Sequence, residues 1–309
     1  AQYPNSYYSA DMNFALGQVL FEREDLVQTV DVFTTYLEGF PRHPNRPYGM
    51  YYMGYALFNL TRFEGAAETF GDLASDYPDS ELTPDALFRA GEARYNLGQF
   101  GAALSYYESL LETAPEADLA DDASYNLAWA LLNLERDDEA MVAFEKMAAD
   151  YPKSPLAPNA QFTVGDFLYN EERYKEAIRA YEDVARRFPG SDVATRVPAL
   201  LDDLTEVVAY TEYAEVEAIF ASALETDDKD KFRQAIGSFT EIAEKYPKTE
   251  SAIGALSNMG VCYESLGEWK KAVDVYDQVL ARFSEEEGER EEAYRFARMH
   301  KDWIVSTRL

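Results

Sequence analysis

The side chains that could carry out chemistry are few in this chain and widely separated. Among 309 residues there are two histidines, His43 and His300, and one cysteine, Cys262. Two isolated histidines are too few for a histidine-based metal site, and we expect both of them to be loop and surface residues. Cys262 lies in an apolar helical pattern, so we expect a buried, inert thiol, and one cysteine allows no disulfide within the chain.

Other motifs for catalysis or cofactor binding are equally weak. The run Asp-Asp-Lys-Asp at 227–230 could in principle hold calcium, but it lacks the glycine and the terminal glutamate of a calcium loop. The run of glutamates at 285–287 is typical of a solvated segment. No glycine-rich phosphate loop occurs. The sequence therefore predicts no enzyme, no cofactor and no metal site.

The charge of the chain excludes two further classes of function. Acidic residues outnumber basic ones by 57 to 28, which gives a formal net charge of −29. Nucleic acid and anionic membrane surfaces should repel such a chain. No apolar run reaches the roughly 18 residues of a membrane-spanning helix, so we expect no direct membrane insertion.

The dominant pattern is instead a repeat. Residue-proline pairs recur along the chain, the first five of them 37 residues apart and the sixth after a longer interval: Phe40-Pro41, Tyr77-Pro78, Ala114-Pro115, Tyr151-Pro152, Phe188-Pro189 and Tyr246-Pro247. A fixed period in this range indicates stacked helical units, each of which buries its apolar face against its neighbours.

Residues one period apart also share their size. One column is aromatic in every repeat: Phe33, Phe70, Tyr107, Phe144, Tyr181, Phe239 and Tyr276. A second column holds small residues: Thr29, Ala66, Ala103, Ala140, Ala177, Ala235 and Ala272. So does a third: Gly17, Gly54, Gly91, Ala128, Gly165, Ala223 and Gly260. Small columns facing a bulky one predict pairs of close-packed helices, which we call A and B in chain order.

Prolines and polar links mark the boundaries of these helices. Pro47, Pro84 and Pro158 each precede a helical pattern and suit the first turn, where the missing N–H costs nothing. The residue before a proline is disfavoured in the α region, so the residue-proline pairs should end each helix B. Both helices are then about 14 residues long, and the fold class is all-α.

One interval breaks the period. From Pro189 to Pro247 is 58 residues, which is enough for one additional helix with an apolar stripe over 197–208. The pattern leaves open whether this helix continues into the next helix A. We therefore expect a single domain, 1–309, with five regular repeats in 1–190, an inserted helix in 191–211, two further repeats in 212–284 and a C-terminal helix in 285–309.

This pattern resembles the tetratricopeptide repeat family. The resemblance rests on the two columns of small residues, on the aromatic column and on the prolines that close the units. The family implies a right-handed α-solenoid, here of about seven helix pairs plus the inserted helix and a C-terminal half-repeat. The repeat is longer than the common form of about 34 residues. In this respect it is similar to the repeats of bacterial cell-envelope proteins, including the Tol–Pal-associated periplasmic type. The resemblance implies a scaffold that binds protein partners.

In the family, helix A lines the groove that binds a ligand. Its aromatic and acidic positions, and a ladder of asparagines near the ends of the A helices, are therefore the candidate protein-binding residues. They are Phe14, Tyr51, Tyr55, Phe88, Glu92, Tyr125, Trp129, Phe162 and Asp166, with Asn59, Asn96, Asn133 and Asn170. Such a groove favours a segment with arginine, lysine or aromatic side chains. Two alternatives stay open: the aromatic residues pack neighbouring repeats together, and the asparagines cap helices.

Members of the family that clamp a C-terminal carboxylate use basic residues in the groove. This chain has Phe14, Tyr51 and Phe88 in that column. The sequence therefore argues against a carboxylate clamp.

Both ends of the chain are in register with the repeat. The first residues match the tail of a preceding unit, and the last helix, near 291–305, matches a helix A without its B. It is either a capping helix or an open end that stacks on another copy. Residues 1–40 carry a net charge of −5 and residues 293–309 a net charge of +3, which favours stacking. The candidate interface residues are Tyr3, Tyr7, Tyr8, Asp11, Tyr294, Arg295, Arg298, Lys301 and Trp303.

The sequence thus predicts a non-enzymatic scaffold or adaptor of the cell envelope. The alternative is a subunit that self-assembles head to tail into an extracellular filament. The start at Ala1-Gln2 is what signal-peptide cleavage would leave, so we expect a periplasmic or extracellular protein. Because the one cysteine is Cys262, we do not expect lipid anchoring.

Overall fold

The computed structural model describes residues 7–283 and 291–309, and these ranges contain 15 α-helices, one short 3₁₀ helix and no strand. Contacts divide the chain into two compact units, Ala1–Val164 and Gly165–Leu309. Unit 1 contains α1 (Tyr7–Glu22), α2 (Leu26–Gly39), α3 (Arg46–Asn59), α4 (Phe63–Asp76), α5 (Thr83–Asn96), α6 (Phe100–Thr113), α7 (Ala120–Asn133), α8 (Asp137–Asp150) and the first part of α9 (Ala157–Asn170).

Unit 2 contains the rest of α9 and the helices that follow it. These are α10 (Tyr174–Arg187), a 3₁₀ turn (Val193–Thr195), α11 (Val197–Thr226), α12 (Lys229–Lys245), α13 (Glu250–Ser265), α14 (Trp269–Leu280) and α15 (Glu292–Thr307). Consecutive helices pack against one another from α1 to α8 in unit 1 and from α10 to α15 in unit 2. The predicted all-α class and the pairing of helices are confirmed.

The residue-proline pairs end the B helices as predicted. The first residue of each pair is the C-cap of α2, α4, α6, α8, α10 or α12, and in each case its N–H donates to the carbonyl four residues earlier. Proline lies in the first turn of α3 and α5. The nine helices from α2 to α10 are each 14 residues long, which is the length that the repeat predicts.

A left-handed residue follows the ends of the A helices, a recurring feature that the sequence did not reveal. Two residues after α7 ends, Glu135 adopts a left-handed conformation with φ of 58°, and Gly98 does so after α5 with φ of 71°. Around Glu135, the N–H of Arg136 donates to the Leu131 carbonyl and the N–H of Glu135 donates to the Leu132 carbonyl. This pair of bonds is a Schellman motif, which satisfies carbonyls at the helix end.

The core of each A–B helix pair lies where the glycine column contacts the aromatic column. All seven aromatic-column residues are at most 1% exposed. A Cβ added at Gly91 would lie 2.5 Å from the Tyr107 ring, and one at Gly54 would lie 2.8 Å from the Phe70 ring. Because a residue without a side chain permits this approach, glycine sets the distance between helices A and B in five of the repeats, whereas Ala128 and Ala223 hold the position in the other two.

Unit 2 contains the interval that breaks the repeat. Most of the additional residues belong to α11, which runs without interruption from Val197 to Thr226 and is 30 residues long. The inserted helix therefore continues into the next helix A, which the sequence had left open. The Glu206 carboxylate accepts hydrogen bonds from the Glu250 and Ser251 N–H groups and from the Ser251 hydroxyl. The added length of α11 thereby caps the N-terminus of α13.

The isolated reactive side chains have structural roles. Cys262 is buried as predicted, and burial raises the pKa of its thiol to about 12. The expectation for His43 was wrong in one respect. It lies in a loop but is buried, and its Nδ1 is 2.7 Å from the Tyr36 hydroxyl. His300 is half-buried on α15, with Nδ1 2.7 Å from Glu264 Oε1.

The acidic run at 227–230 links α11 to α12. Asp227 is left-handed, and the Asp228 carboxylate accepts from the N–H groups of Asp230 and Lys231 as the N-cap of α12. In the part of the chain that the structure describes, no group of three or more histidine, cysteine, aspartate or glutamate residues could hold a metal ion. Among the same residues, no helix is long and apolar enough to cross a membrane. The glutamates at 285–287 lie outside the described residues.

Candidate functional site

The A helices α3, α5 and α7 of unit 1 bring aromatic and charged side chains to one surface. We call it the A-helix groove and define it by Tyr51, Tyr55, Asp85, Arg89, Glu92, Asp122, Tyr125 and Trp129. One helical turn separates Tyr51 from Tyr55, Asp85 from Arg89, and Tyr125 from Trp129. Each pair therefore lies on one side of its helix.

A hydrogen-bonded network joins α3 to α5. The Tyr55 hydroxyl donates to Asp85 Oδ2 at 2.8 Å and accepts from Arg89 Nε at 2.8 Å. Arg89 Nη1 donates to Glu92 Oε2 at 2.6 Å. The Arg89 guanidinium also lies 5.2 Å from the centroid of the Tyr55 ring. These contacts hold Arg89 in one orientation along the groove.

The carboxylates of the groove are poorly compensated. Burial raises the pKa of Glu92; Arg89 opposes this shift, while Asp122 and Asp85 add to it. Burial also raises the pKa of Asp122, again with Arg89 acting in the opposite direction. Three carboxylates thus share one guanidinium, that of Arg89. The groove retains negative charge in partly desolvated surroundings, where an added cation would be stabilised.

Beside this network lies an open pocket of about 360 Å³. It lies between α5, α6 and α7 and combines a carboxylate, two amides and three aromatic rings. The lining residues are Glu92, Tyr95, Asn96, Tyr107, Asn126 and Trp129. Trp129 is held by edge contacts with Tyr125 and Phe144, at centroid distances of 6.1 and 5.4 Å. The pocket therefore offers an acidic group and a fixed indole face to one ligand side chain.

The predicted aromatic column is divided between packing and surface. Phe14, Phe88 and Phe162 are buried, and so is Phe220 of the same column in unit 2. Tyr51 and Tyr125 are half-buried and reach the groove. For the buried phenylalanines, the structure favours the packing alternative. Glu92, Tyr55 and Trp129, which lie on other columns, are placed in the groove together.

The asparagine ladder lies at helix ends. Asn59, Asn96, Asn133 and Asn170 are the last residues of α3, α5, α7 and α9, and all are exposed. Asn96 Nδ2 donates to the Glu92 carbonyl, and Asn133 Nδ2 donates to the Trp129 carbonyl at 2.8 Å and to the Tyr95 hydroxyl at 2.9 Å. These bonds hold both amides against the last turn of their own helices. Asp166 lies in unit 2, is exposed and accepts from the Tyr181 hydroxyl.

One groove residue and three residues that line the adjoining pocket were not predicted as binding residues by the sequence analysis. Arg89, Tyr95, Tyr107 and Asn126 belong to columns that vary in type from repeat to repeat or that point to the core. The one available signal was local. Arg89 follows Asp85 by four residues and precedes Glu92 by three, and both spacings favour ion pairs on a helix.

The predicted interface residues at the two ends have different surroundings. Tyr3 and the side chain of Tyr7 lie outside the described residues. Tyr8 is exposed on α1, and Asp11 lies beside His43, with 3.3 Å between Oδ1 and Nε2.

The C-terminal candidates all lie on α15. Tyr294 is buried, and its ring packs against Phe283 within unit 2. Arg295 and Arg298 are exposed, Lys301 pairs with Asp277, and Trp303 is 42% exposed. Tyr294 is thus a core residue of its own unit, whereas Trp303 is available at the surface.

Comparison with known families agrees with this fold. Residues 1–109 and 122–278 match the model of YfiO, a family of outer membrane lipoproteins. The chain belongs to this family. Residues 88–155 also match a tetratricopeptide repeat model, so the repeats of this YfiO-family chain are tetratricopeptide repeats, as the resemblance implied. The link to Tol–Pal-associated proteins stays a prediction. No curated protein matches the chain.

Solved structures similar to this YfiO-family chain are also repeat proteins. A tetratricopeptide repeat protein from Parabacteroides merdae is 14% identical, with 94% of this chain and 99% of that one covered and a TM-score of 0.49. MamA from Desulfovibrio magneticus RS-1 is 20% identical over 59% of this chain and 97% of that one, with a TM-score of 0.47. YrrB, a protein of the same repeat class with a peptide-binding site, is 18% identical over 60% and 90%, with a TM-score of 0.45.

Proposed function

We propose that this chain is a non-enzymatic scaffold of the cell envelope that binds a protein partner through the A-helix groove. Its family is one of outer membrane lipoproteins, which supports a periplasmic or extracellular location. Its tetratricopeptide repeats are typical of protein-binding scaffolds. The acidic composition favours partners that carry basic segments.

The pocket between α5 and α7 is the observation that carries this proposal. An arginine or lysine side chain entering it would meet the Glu92 carboxylate and the Trp129 ring together. Both groups favour a cation, the first by charge pairing and the second by a cation–π contact. Asn96 and Asn126 add amide groups to the wall. The groove therefore fits an extended segment with one basic side chain inserted into this pocket.

The three tryptophans of the chain allow a direct binding test. In the variant Trp269→Phe/Trp303→Phe, Trp129 is the single remaining indole and reports on the pocket. We would titrate this variant with a short glycine-flanked arginine peptide and with its uncharged citrulline counterpart. The arginine peptide should change the Trp129 emission at a lower concentration than the citrulline peptide.

Substitutions identify which carboxylate is responsible. Glu92→Gln should weaken binding of the arginine peptide about five-fold, which corresponds to roughly 1 kcal/mol. The matched control is Glu145→Gln on the exposed side of α8, which should leave binding unchanged. Equal affinity of the two peptides for the parent variant would contradict the proposal, and so would equal effects of the two substitutions.

A second candidate function is head-to-tail self-association into a filament. The observation that favours it is a set of exposed apolar side chains on α1, the helix at the N-terminal end of unit 1. Light scattering of the full chain across concentrations tests it. A mass that rises above the 35.0 kDa of one chain supports self-association, and a constant mass contradicts it.

A further inference from the structure

The first helix of unit 1 carries an exposed apolar stripe. Tyr8 and Met12 are 82% and 73% exposed, and Leu16 and Val19 are each 49% exposed. Their spacing of four, four and three residues places all four side chains on one side of α1. Such a contiguous apolar face is uncommon on the surface of a monomeric protein and is typical of an interaction site.

In later repeats the same columns face the preceding helix B. One period after Met12 stands Gly49 on α3, where an added Cβ would lie 2.8 Å from the Tyr36 ring of α2. One period after Val19 stands Ala56, and one period later Ala93, both fully buried. The stripe of α1 is therefore a helix-packing face, and none of the described helices covers it.

The C-terminal helix of unit 2 has an exposed apolar surface of its own. Met299 and Trp303, one turn apart on α15, are 61% and 42% exposed. Together with His300 and Glu264 they line a notch of about 350 Å³. Trp303 is held in place by the Trp269 ring at 5.9 Å and by the Arg308 guanidinium at 5.4 Å. The notch therefore presents the positioned Trp303 ring to an apolar side chain.

The two surfaces carry opposite charge. Helix α1 contains two acidic residues and no basic residue, a net charge of −2, and both Asp11 and Glu22 are exposed. Helix α15 (Glu292–Thr307) contains three basic and two acidic residues, a net charge of +1, and Arg295 and Arg298 are exposed on it. Contact between α1 and α15 thus joins apolar surfaces and complementary charges.

We infer that α1 of one copy packs on α15 of a second copy, with Met12 and Leu16 against the Met299–Trp303 notch. This inference rests on the second proposed function and names its interface. The contact is heterologous, because it joins two different surfaces. Each added copy therefore leaves one α1 and one α15 unoccupied, and association continues unless a ring closes.

The test uses the full chain and two variants, each with one surface blocked. Met12→Glu puts a charge in the α1 stripe, and Met299→Glu puts one in the α15 notch. The matched control is Val142→Glu, because Val142 is 63% exposed on α8, which contributes no residue to either surface. All three positions are exposed, so unchanged melting curves should confirm that each variant is folded.

Sedimentation velocity then distinguishes the possible arrangements. The wild-type chain and Val142→Glu should form species that grow with concentration and shrink as salt screens the charges. Met12→Glu alone and Met299→Glu alone should be monomers. Their equimolar mixture should form dimers and nothing larger, because each variant retains the surface that the other lacks.

Two results would overturn the inference, and they have different meanings. A wild-type chain that stays monomeric at every concentration rejects self-association itself. Wild-type assembly that persists in Met299→Glu, or dimers formed by one variant alone, keeps self-association but rejects the contact between α1 and α15.

Discussion

At the scale of single residues, the glycine column has an effect opposite to ordinary helix propensity. In an open helix, glycine to alanine stabilises by about 1 kcal/mol. At Gly260 the new methyl group would overlap the buried Tyr276 ring, so Gly260→Ala should destabilise the chain by about 1–3 kcal/mol. Urea denaturation followed by circular dichroism measures the change.

The control for this prediction lies in the same unit. Gly237 is in the interior of α12, and nothing lies within 4 Å of an added Cβ. Gly237→Ala should therefore stabilise the chain or leave it unchanged. Destabilisation of similar size at both positions would contradict the role given to the glycine column.

The left-handed residues after the A helices give a second prediction. Glu135 has a side chain in a conformation that favours glycine, and Gly98 occupies the equivalent position one repeat earlier. Glu135→Gly relieves this strain but also makes the unfolded chain more flexible, so the net gain should be at most about 1 kcal/mol. The same change at Glu145, inside α8, should cost about 1 kcal/mol. Thermal unfolding of both variants tests the difference in sign.

The sequence predicted the columns better than it predicted the groove. A column is visible when every repeat needs the same size of side chain, as at Gly91 and Tyr107. The left-handed position is held by glutamate, threonine or glycine in different repeats, so residue type did not reveal it. Arg89 occurs in one repeat only and was missed for the same reason. Phe88 was predicted for the groove, although repetition of an aromatic residue equally indicates packing, and the structure buries it.

At the scale of helices, α11 shows where periodicity stops being informative. The additional residues were recognised from the interval between Pro189 and Pro247. Neither glycine nor proline lies between Leu200 and Glu225, so the pattern could not show whether one helix or two are present. The contact that uses the added length, from Glu206 to the start of α13, joins residues 44 and 45 positions apart. No repeat spacing predicts such a contact.

This contact gives the prediction for α11. Glu206→Ala removes the cap from two N–H groups at the start of α13, so the free energy of unfolding should fall by about 1–2 kcal/mol. Amide hydrogen exchange should rise first at Glu250 and Ser251. Asp203→Ala, at an exposed position on the same helix, is the control and should change neither quantity by more than a few tenths of a kcal/mol. Equal effects of both substitutions would contradict the capping role.

At the scale of the molecule, helices contact their neighbours in sequence and little else within each unit. The largest sets of contacts join consecutive helices, and the few others join helices two apart, such as α1 with α3 and α11 with α13. A repeat array of this kind has no single core, so its stability is close to a sum of terms for each repeat and each interface. Damage to one repeat should therefore stay local.

Two alanine substitutions in the aromatic column, one in each unit, test whether damage stays local. Phe70 on α4 in unit 1 and Phe239 on α12 in unit 2 are both fully buried, and replacing either with alanine should cost about 3–5 kcal/mol. Native-state hydrogen exchange of Phe70→Ala should accelerate in α3, α4 and α5 while α12 and α13 keep their wild-type rates. Phe239→Ala should give the reverse pattern, with acceleration in α11, α12 and α13. If either variant accelerated exchange uniformly in both units, the chain would unfold as one cooperative body, and the additive description of its repeats would fail.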